Sequence, residues 1–194
     1  MLEGLLVDLV PYDKRFRERE PQWENSEATF WGSMGEWRII TKAEIERRRQ
    51  RRQEASRHFS GVHFGIQTKA GKPIGTFGIN WLLAHHRLAM LGAIIYEADY
   101  WGGGYGTDAL LLIVDYAFDW LDLRKIWLST MSLNARVLRQ MEKVGFTMEA
   151  RHKEAVFARG AWHDEVVYGL LREEWPGREA MVQKLGLRAK PPKA

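Results

Sequence analysis

Hydrophobic and polar positions change period several times along the chain, and each change marks an element. Residues 5–10 alternate and predict a first strand. Residues 11–20 open a helical region that Pro21 breaks. Residues 22–40 scatter Trp23, Phe30, Trp31 and Trp37 among polar and glycine positions, the pattern of a loop with short helices folded over another surface. Those aromatics suit either lid packing or ligand contact. Thr41 and Glu44 have capping-box spacing, so a helix is predicted from 42 to about 57. Residues 62–68 and 73–81 read as two strands around a turn at Ala70-Gly71-Lys72, and 88–96 follows His85-His86 as a third, giving an antiparallel meander. Residues 108–121 then place Leu111, Leu112, Val114, Ala117, Phe118 and Leu121 at helical spacing, a core helix. A strand at 125–131, a helix at 135–144 stopped by Gly145 as a left-handed cap, and strands at 146–159 and 165–172 around Gly160 complete the pattern. Residues 186–194, rich in proline and lysine, predict a frayed end.

Composition narrows the class. A chain of 194 residues with 45% hydrophobic content can bury one core, and no repeat or linker divides it. One domain over 1–194 is expected, with 185–194 as a flexible tail. The absence of cysteine excludes a disulfide framework, a thiolate metal site and a cysteine nucleophile, and no metal is expected. Acidic residues interrupt the short apolar run at the start, and no stretch has membrane-spanning length, so a cytoplasmic protein without signal peptide or membrane contact is expected. Much of the net charge of +4 gathers at Arg47, Arg48, Arg49, Arg51 and Arg52. That run reads as the solvated face of a surface helix or as a patch for nucleic acid, a ribosomal surface or an acidic substrate. No nucleic-acid fold signature accompanies it.

The chemistry concentrates at Tyr100-Trp101-Gly102-Gly103-Gly104-Tyr105-Gly106-Thr107, between an apolar strand and an amphipathic helix. Glycines permit positive φ and close approach of backbone N–H groups, and the helix start adds partial positive charge, so the stretch is a candidate phosphate cradle. An ordinary turn is the other reading. No Gly-Lys-Ser/Thr ending is present, and neither spacing nor context fits a Rossmann fingerprint.

The Gly-x-Gly-x-Gly spacing resembles motif A of the GNAT superfamily of N-acetyltransferases, with Trp101 in the usual Arg/Gln position. Tyr-Trp-Gly-x-Gly-Tyr-Gly-Thr is similar to the RimJ/RimL-like ribosomal-protein branch. Three further blocks resemble the family in order: Lys72-Pro73-Ile74-Gly75, Asn134-Ala135-Arg136 with Glu142-Lys143-Val144-Gly145-Phe146, and Gly160-Ala161-Trp162-His163-Asp164. The resemblance implies an α/β (α+β) GNAT fold, a mixed, mostly antiparallel sheet flanked by helices, and acetyl-coenzyme A as cosubstrate. It places pantetheine against Ile94, Ile95 and Tyr96, pyrophosphate on Trp101, Gly102, Gly103, Gly104, Tyr105, Gly106 and Thr107, and the coenzyme's far side against Asn134 and Arg139. Asn134 also reads as a plain helix N-cap.

Direct transfer from thioester to amine asks for a base and for a proton on the leaving thiolate. The family's usual donor and base positions hold Met141, Val137 and Met90, none of which can serve. Glu97 and then His63 are the base candidates, each equally readable as an ordinary solvated residue. Trp23, Asn25, Trp31, Arg38 and Trp81 are expected to line the acceptor cleft, where aromatic walls suit a cation or flat ring. The reading is an acyl-coenzyme A dependent N-acyltransferase, most simply an acetyltransferase acting on a primary amine of a protein N-terminus or small molecule. A non-catalytic coenzyme A binding domain is its rival. Oligomeric state stays open, a homodimer included.

Overall fold

The structure is a computed structural model describing residues 1–55 and 61–190. Eight strands form one sheet in the order β1-β2-β3-β4-β5-β6-β8-β7. They are Leu2–Glu3 (β1), Val7–Pro11 (β2), Val62–Thr68 (β3), Pro73–Leu83 (β4), Leu88–Ile95 (β5), Lys125–Met131 (β6), Thr147–Ala158 (β7) and Ala161–Leu171 (β8). Every pairing is antiparallel except β5 with β6, which run parallel. The expected mixed, mostly antiparallel sheet is therefore present.

The parallel pair creates the feature on which the site depends. β5 and β6 are in register only at Leu88↔Lys125, Ala89↔Ile126 and Met90↔Trp127. Beyond Met90, β5 stays zipped to β4 as far as Ile95↔Gly75, while β6 stays zipped to β8 as far as Met131↔Glu165. Each strand follows its antiparallel partner, and the two separate.

Helices cover both faces. Lys14–Arg17 (α1), Glu20–Trp23 (α2), Glu27–Gly32 (α3) and Lys42–Ala55 (α4) lie on one side, where Phe16, Trp23 and Val10 form a small core with Tyr12 and Tyr96 packed on it. Pro21 does not break this region; it occupies the first turn of α2, where a missing N–H costs no hydrogen bond. Thr41 Oγ1 accepts from the Glu44 N–H at the start of α4, as the capping pattern implied. The predicted extension of that helix to residue 57 lies outside the described residues.

On the other face, Tyr105–Asp115 (α5) carries the main core on Leu111, Ile113 and Val114, with Phe118 following in a π-helical turn over Tyr116–Trp120. It starts three residues before the predicted 108, because Tyr105 and Gly106 already have helical geometry after Gly104. Ala135–Val144 (α6) follows β6, and Gly145 caps it at φ 101°. A last helix, Arg178–Leu185 (α7), gave no sequence signal: it is eight residues long, and only Met181 is fully buried. The predicted frayed end also differs over residues 186–190, since Leu187 packs on the core and donates its N–H to Val182 O.

Asp108 joins these pieces. Its fully buried carboxylate accepts from the Leu6 and Val7 N–H groups at 2.7 and 3.2 Å and from Arg178 Nη2 at 3.1 Å. Removing one side of a buried, hydrogen-bonded charge pair costs about 3–5 kcal/mol, because the partner stays desolvated. Asp108→Ala is accordingly expected to lower unfolding free energy by about that amount in urea titration, and a loss within error of zero would refute the keystone role.

Candidate active site

Between the diverging ends of β5 and β6 lies a cleft of about 770 Å³. β5 and β6 form its floor, α3 and Met34 one rim, and the glycine loop with α6 the other. Four cations line it, Arg136, Arg139, Lys143 and Lys190, and among the described residues no carboxylate does. Such a wall suits a polyanion.

The loop ahead of α5 is shaped as a cradle. Gly102 and Gly104 take φ of 75° and 92°, a region that favours glycine. A Cβ on Gly102 would meet nothing within 4 Å, whereas one on Gly104 would sit 3.1 Å from Leu187 Cδ2 and 3.2 Å from Leu6 Cδ1. Gly104 is the N-cap of α5 and brings no side chain to cap it, so the helix start is left to a ligand. These features fit the pyrophosphate of coenzyme A. Trp101 anchors the loop to the strand before it: its indole Nε1 donates to Ile95 O at 2.7 Å. The Arg136 guanidinium stacks 4.1 Å over the Trp101 ring, and its burial pulls the pKa below the usual arginine value, opposed by nearby Glu27.

The strand edge offered to the gap lies N-terminal to the expected Ile94, Ile95 and Tyr96. Tyr96 N–H donates to Ile74 O on β4, and Ile95 O is taken by Trp101. Backbone groups alternate sides along a strand, so Ala93 presents its N–H and C=O to the cleft, whereas the Leu91 N–H still closes the ladder bridge of Met90 with Trp127 and leaves only its C=O. Tyr96 instead stacks on Trp23, centroids 4.7 Å apart, and Tyr105 turns inward against Tyr100 at 4.9 Å. Ile94, Ile95, Trp101, Gly102, Gly103, Gly104, Gly106, Thr107, Asn134 and Arg139 all line the cleft. Asn134 is also the cap of α6, accepting from Val137 N–H at 3.5 Å. The residues missed were Arg136, Gln140 and Lys143. With Arg139 they repeat at helical spacing along one face of α6, a signal present in the sequence. Gln140 Nε2 reaches Thr107 Oγ1 at 3.3 Å and ties α6 to the start of α5.

The expected base and acceptor residues lie mostly elsewhere. The Glu97 carboxylate accepts from Trp23 Nε1 at 2.9 Å and Arg19 Nη1 at 3.2 Å, with Lys72 Nζ at 3.9 Å, and does not line the cleft. Two hydrogen bonds and a longer ion pair hold it against the end of β5. His63 is exposed on β3, its ring lying across Gly78. Trp23 is buried, and Asn25 clasps Ile40 through both its N–H and C=O and also reaches Pro21 O. Arg38 pairs with Glu36 on the surface, and exposed Trp81 packs edge-on to Trp127 at 6.4 Å. Trp31 alone of those five reaches the cleft. Met141, Val137 and Met90 do line it, with no proton to give. On α4, Arg47 and Arg48 pair with Glu44, and Arg49 with Glu20 and Glu46, which spends much of the basic run's charge locally. Arg51 is exposed, and the side chain of Arg52 lies outside the described residues.

Residues 8–147 match the family model described as Acetyltransferase (GNAT) domain. The chain is 28% identical over 179 residues to Probable N-acetyltransferase YjcK of Bacillus subtilis (strain 168), covering 90% of this chain and 98% of that protein. Its fold is similar to that of a spermidine N-acetyltransferase from Vibrio cholerae in complex with CoA and spermine, with a TM-score of 0.76 at 18% identity, covering 87% of this chain and 96% of that one. It is also similar to a GCN5-related N-acetyltransferase from Brucella melitensis, with a TM-score of 0.74 at 22% identity, covering 94% and 83%. Among the described residues no helix is long and apolar enough to cross a membrane, and no group of His, Asp or Glu side chains could hold a metal ion.

Substitution at the cap separates strain from charge. Gly104→Ala is expected to weaken coenzyme A binding modestly, through backbone strain and the Leu187 contact, while Gly104→Glu raises the Kd more than about tenfold by adding an anion. Equal Kd values for the two variants, measured by calorimetry, would remove the cradle assignment.

Proposed function

The chain belongs to the GNAT acetyltransferase family, and on that premise we propose that its acceptor is an α-amine, the N-terminus of a protein or peptide, which attacks the thioester directly. It is an N-acetyltransferase that uses acetyl-coenzyme A. When bound, acetyl-coenzyme A supplies the acetyl group as an activated thioester.

This chain's residues would divide the work as follows. Gly102, Gly103 and Gly104, with the start of α5, hold the pyrophosphate, and Arg139 supplies countercharge. The free edge at Ala93 orients the pantetheine arm as an added strand would be oriented. Trp101 and Arg136, stacked across the mouth, exclude water from that arm. Ser129 and Thr130 are the hydroxyls in the β6 wall, where Met141 brings no donor. Holding amine and thioester in line contributes several kcal/mol by itself, which a site without a strong acid or base relies on most.

The observation that carries the acceptor class is the missing carboxylate. With Glu97 engaged by Trp23 and Arg19, and no acid in the cleft wall among the described residues, none of those residues is placed there to strip a proton from a strongly basic amine or to neutralise a polycation. An α-amine has a pKa of about 7.7–8.0, so about a third of it is neutral at pH 7.5, against about one part in a thousand for a lysine-like amine. Water suffices as its proton acceptor. The spermidine enzyme that shares the fold acts on a polycation; the cationic wall here disfavours one. The Tyr-Trp-Gly-x-Gly-Tyr-Gly-Thr loop, similar to that of the ribosomal-protein branch, supports an acceptor carried on a protein.

Thiol release from acetyl-coenzyme A tests this, with no background from a chain that lacks cysteine. Peptides with a free N-terminus are expected to turn over with kcat/KM at least about tenfold above spermidine, and kcat/KM should rise with pH and level off above the acceptor's pKa near 8. Preference for spermidine or for a lysine side chain would overturn the assignment.

A further inference from the structure

We propose that the segment after α7 is part of the coenzyme site and that Lys190 binds the pyrophosphate; this rests on the assignment of the cleft to coenzyme A. The segment is held from two directions. Arg178, at the first position of α7, is tied to buried Asp108, and Met181 is fully buried in the core. Gly186 ends the helix at φ 62° and turns the chain back, so that Leu187 lies against Gly104. Lys190 then reaches the loop itself, its Nζ donating to Gly103 O at 2.6 Å.

Position and charge together point to an anion. Leu185, Leu187 and Lys190 line the cleft, next to the glycines and the uncapped start of α5. Arg139 and Lys143 stand on α6, which borders the loop from another side, as the Gln140–Thr107 bond shows. A cradle phosphate therefore lies between cations of two separate elements. One hydrogen bond to a carbonyl leaves the Lys190 ammonium two further donors. The bond to Gly103 O already parks that charge at the cradle before any ligand arrives, which reduces the ordering cost of binding.

The test is calorimetric binding of coenzyme A and of 3′-dephospho-coenzyme A to the whole chain. Lys190→Ala is expected to raise the Kd about tenfold for both ligands, Lys190→Arg to stay within about threefold, and Lys184→Ala, which removes an exposed charge on α7 away from the cleft, to change nothing. The melting temperature of unliganded Lys190→Ala should match that of the unsubstituted chain, because Lys190 is exposed. A Kd shift below twofold, an equal shift for Lys184→Ala, or a fall in unliganded melting temperature would each overturn the proposal. Loss confined to the 3′-phosphorylated ligand would move Lys190 to that phosphate and overturn the pyrophosphate assignment. If the unsubstituted chain bound no coenzyme A, the cleft assignment itself would fall; normal binding by that chain with an unaffected Lys190→Ala would remove Lys190 alone.

Discussion

A buried carboxylate one turn into a helix sets the geometry of the whole site. Asp108 accepts from two N–H groups of the N-terminal hairpin and from Arg178 of the last helix, and it is fully removed from solvent. Near the start of α5 its charge is also favoured by the helix dipole. A buried ion pair contributes little net stability compared with apolar packing, but it tolerates no misplacement. The consequence is positional. The start of α5, the first hairpin and the C-terminal helix share one register, the glycine loop ends one turn before Asp108, and Leu187 and Lys190 follow directly after α7.

The cleft follows from competition between strand pairings. The parallel ladder of β5 and β6 ends at Met90, while each strand continues along its length with its antiparallel neighbour. Two helices begin at the mouth that results, and they are finished differently. α6 is capped by its own Asn134, whose side chain also donates to Thr130 Oγ1. α5 begins at a glycine, with no side chain to spend on its exposed N–H groups. Similar helix starts thus serve opposite ends: one is closed for structure, the other open to an anion.

Aromatic side chains on the opposite rim are mostly scaffolding. Trp23 stacks on Tyr96 and donates to Glu97, so one indole packs a core and satisfies a carboxylate oxygen at the end of β5. Arg159, from the β7–β8 turn, lies 5.0 Å from the Phe30 ring and 5.2 Å from the Trp31 ring, pinning α3 over the cleft. These contacts leave a cleft walled by backbone, apolar side chains, hydroxyls and cations, with no carboxylate among the described residues.

What the sequence determined by itself was local. Strand alternation, the helical periods of α5 and α6, the Gly145 cap and the glycine spacing each depend on neighbours a few residues away, and the cations of α6 were legible by the same rule. Helix α7 was not, because eight residues, half of them polar and with one buried methionine, carry too little periodicity. The roles of Glu97 and Asp108 were not legible either. Glu97 meets Trp23 across 74 residues and Asp108 meets Leu6 across 102, and Lys190 returns to Gly103 across 87. A carboxylate reads alike as a base, a surface charge or a buried clasp until packing decides what faces it. Only the tertiary structure made that choice, since desolvation and partner geometry are properties of the folded neighbourhood and not of the chain's order.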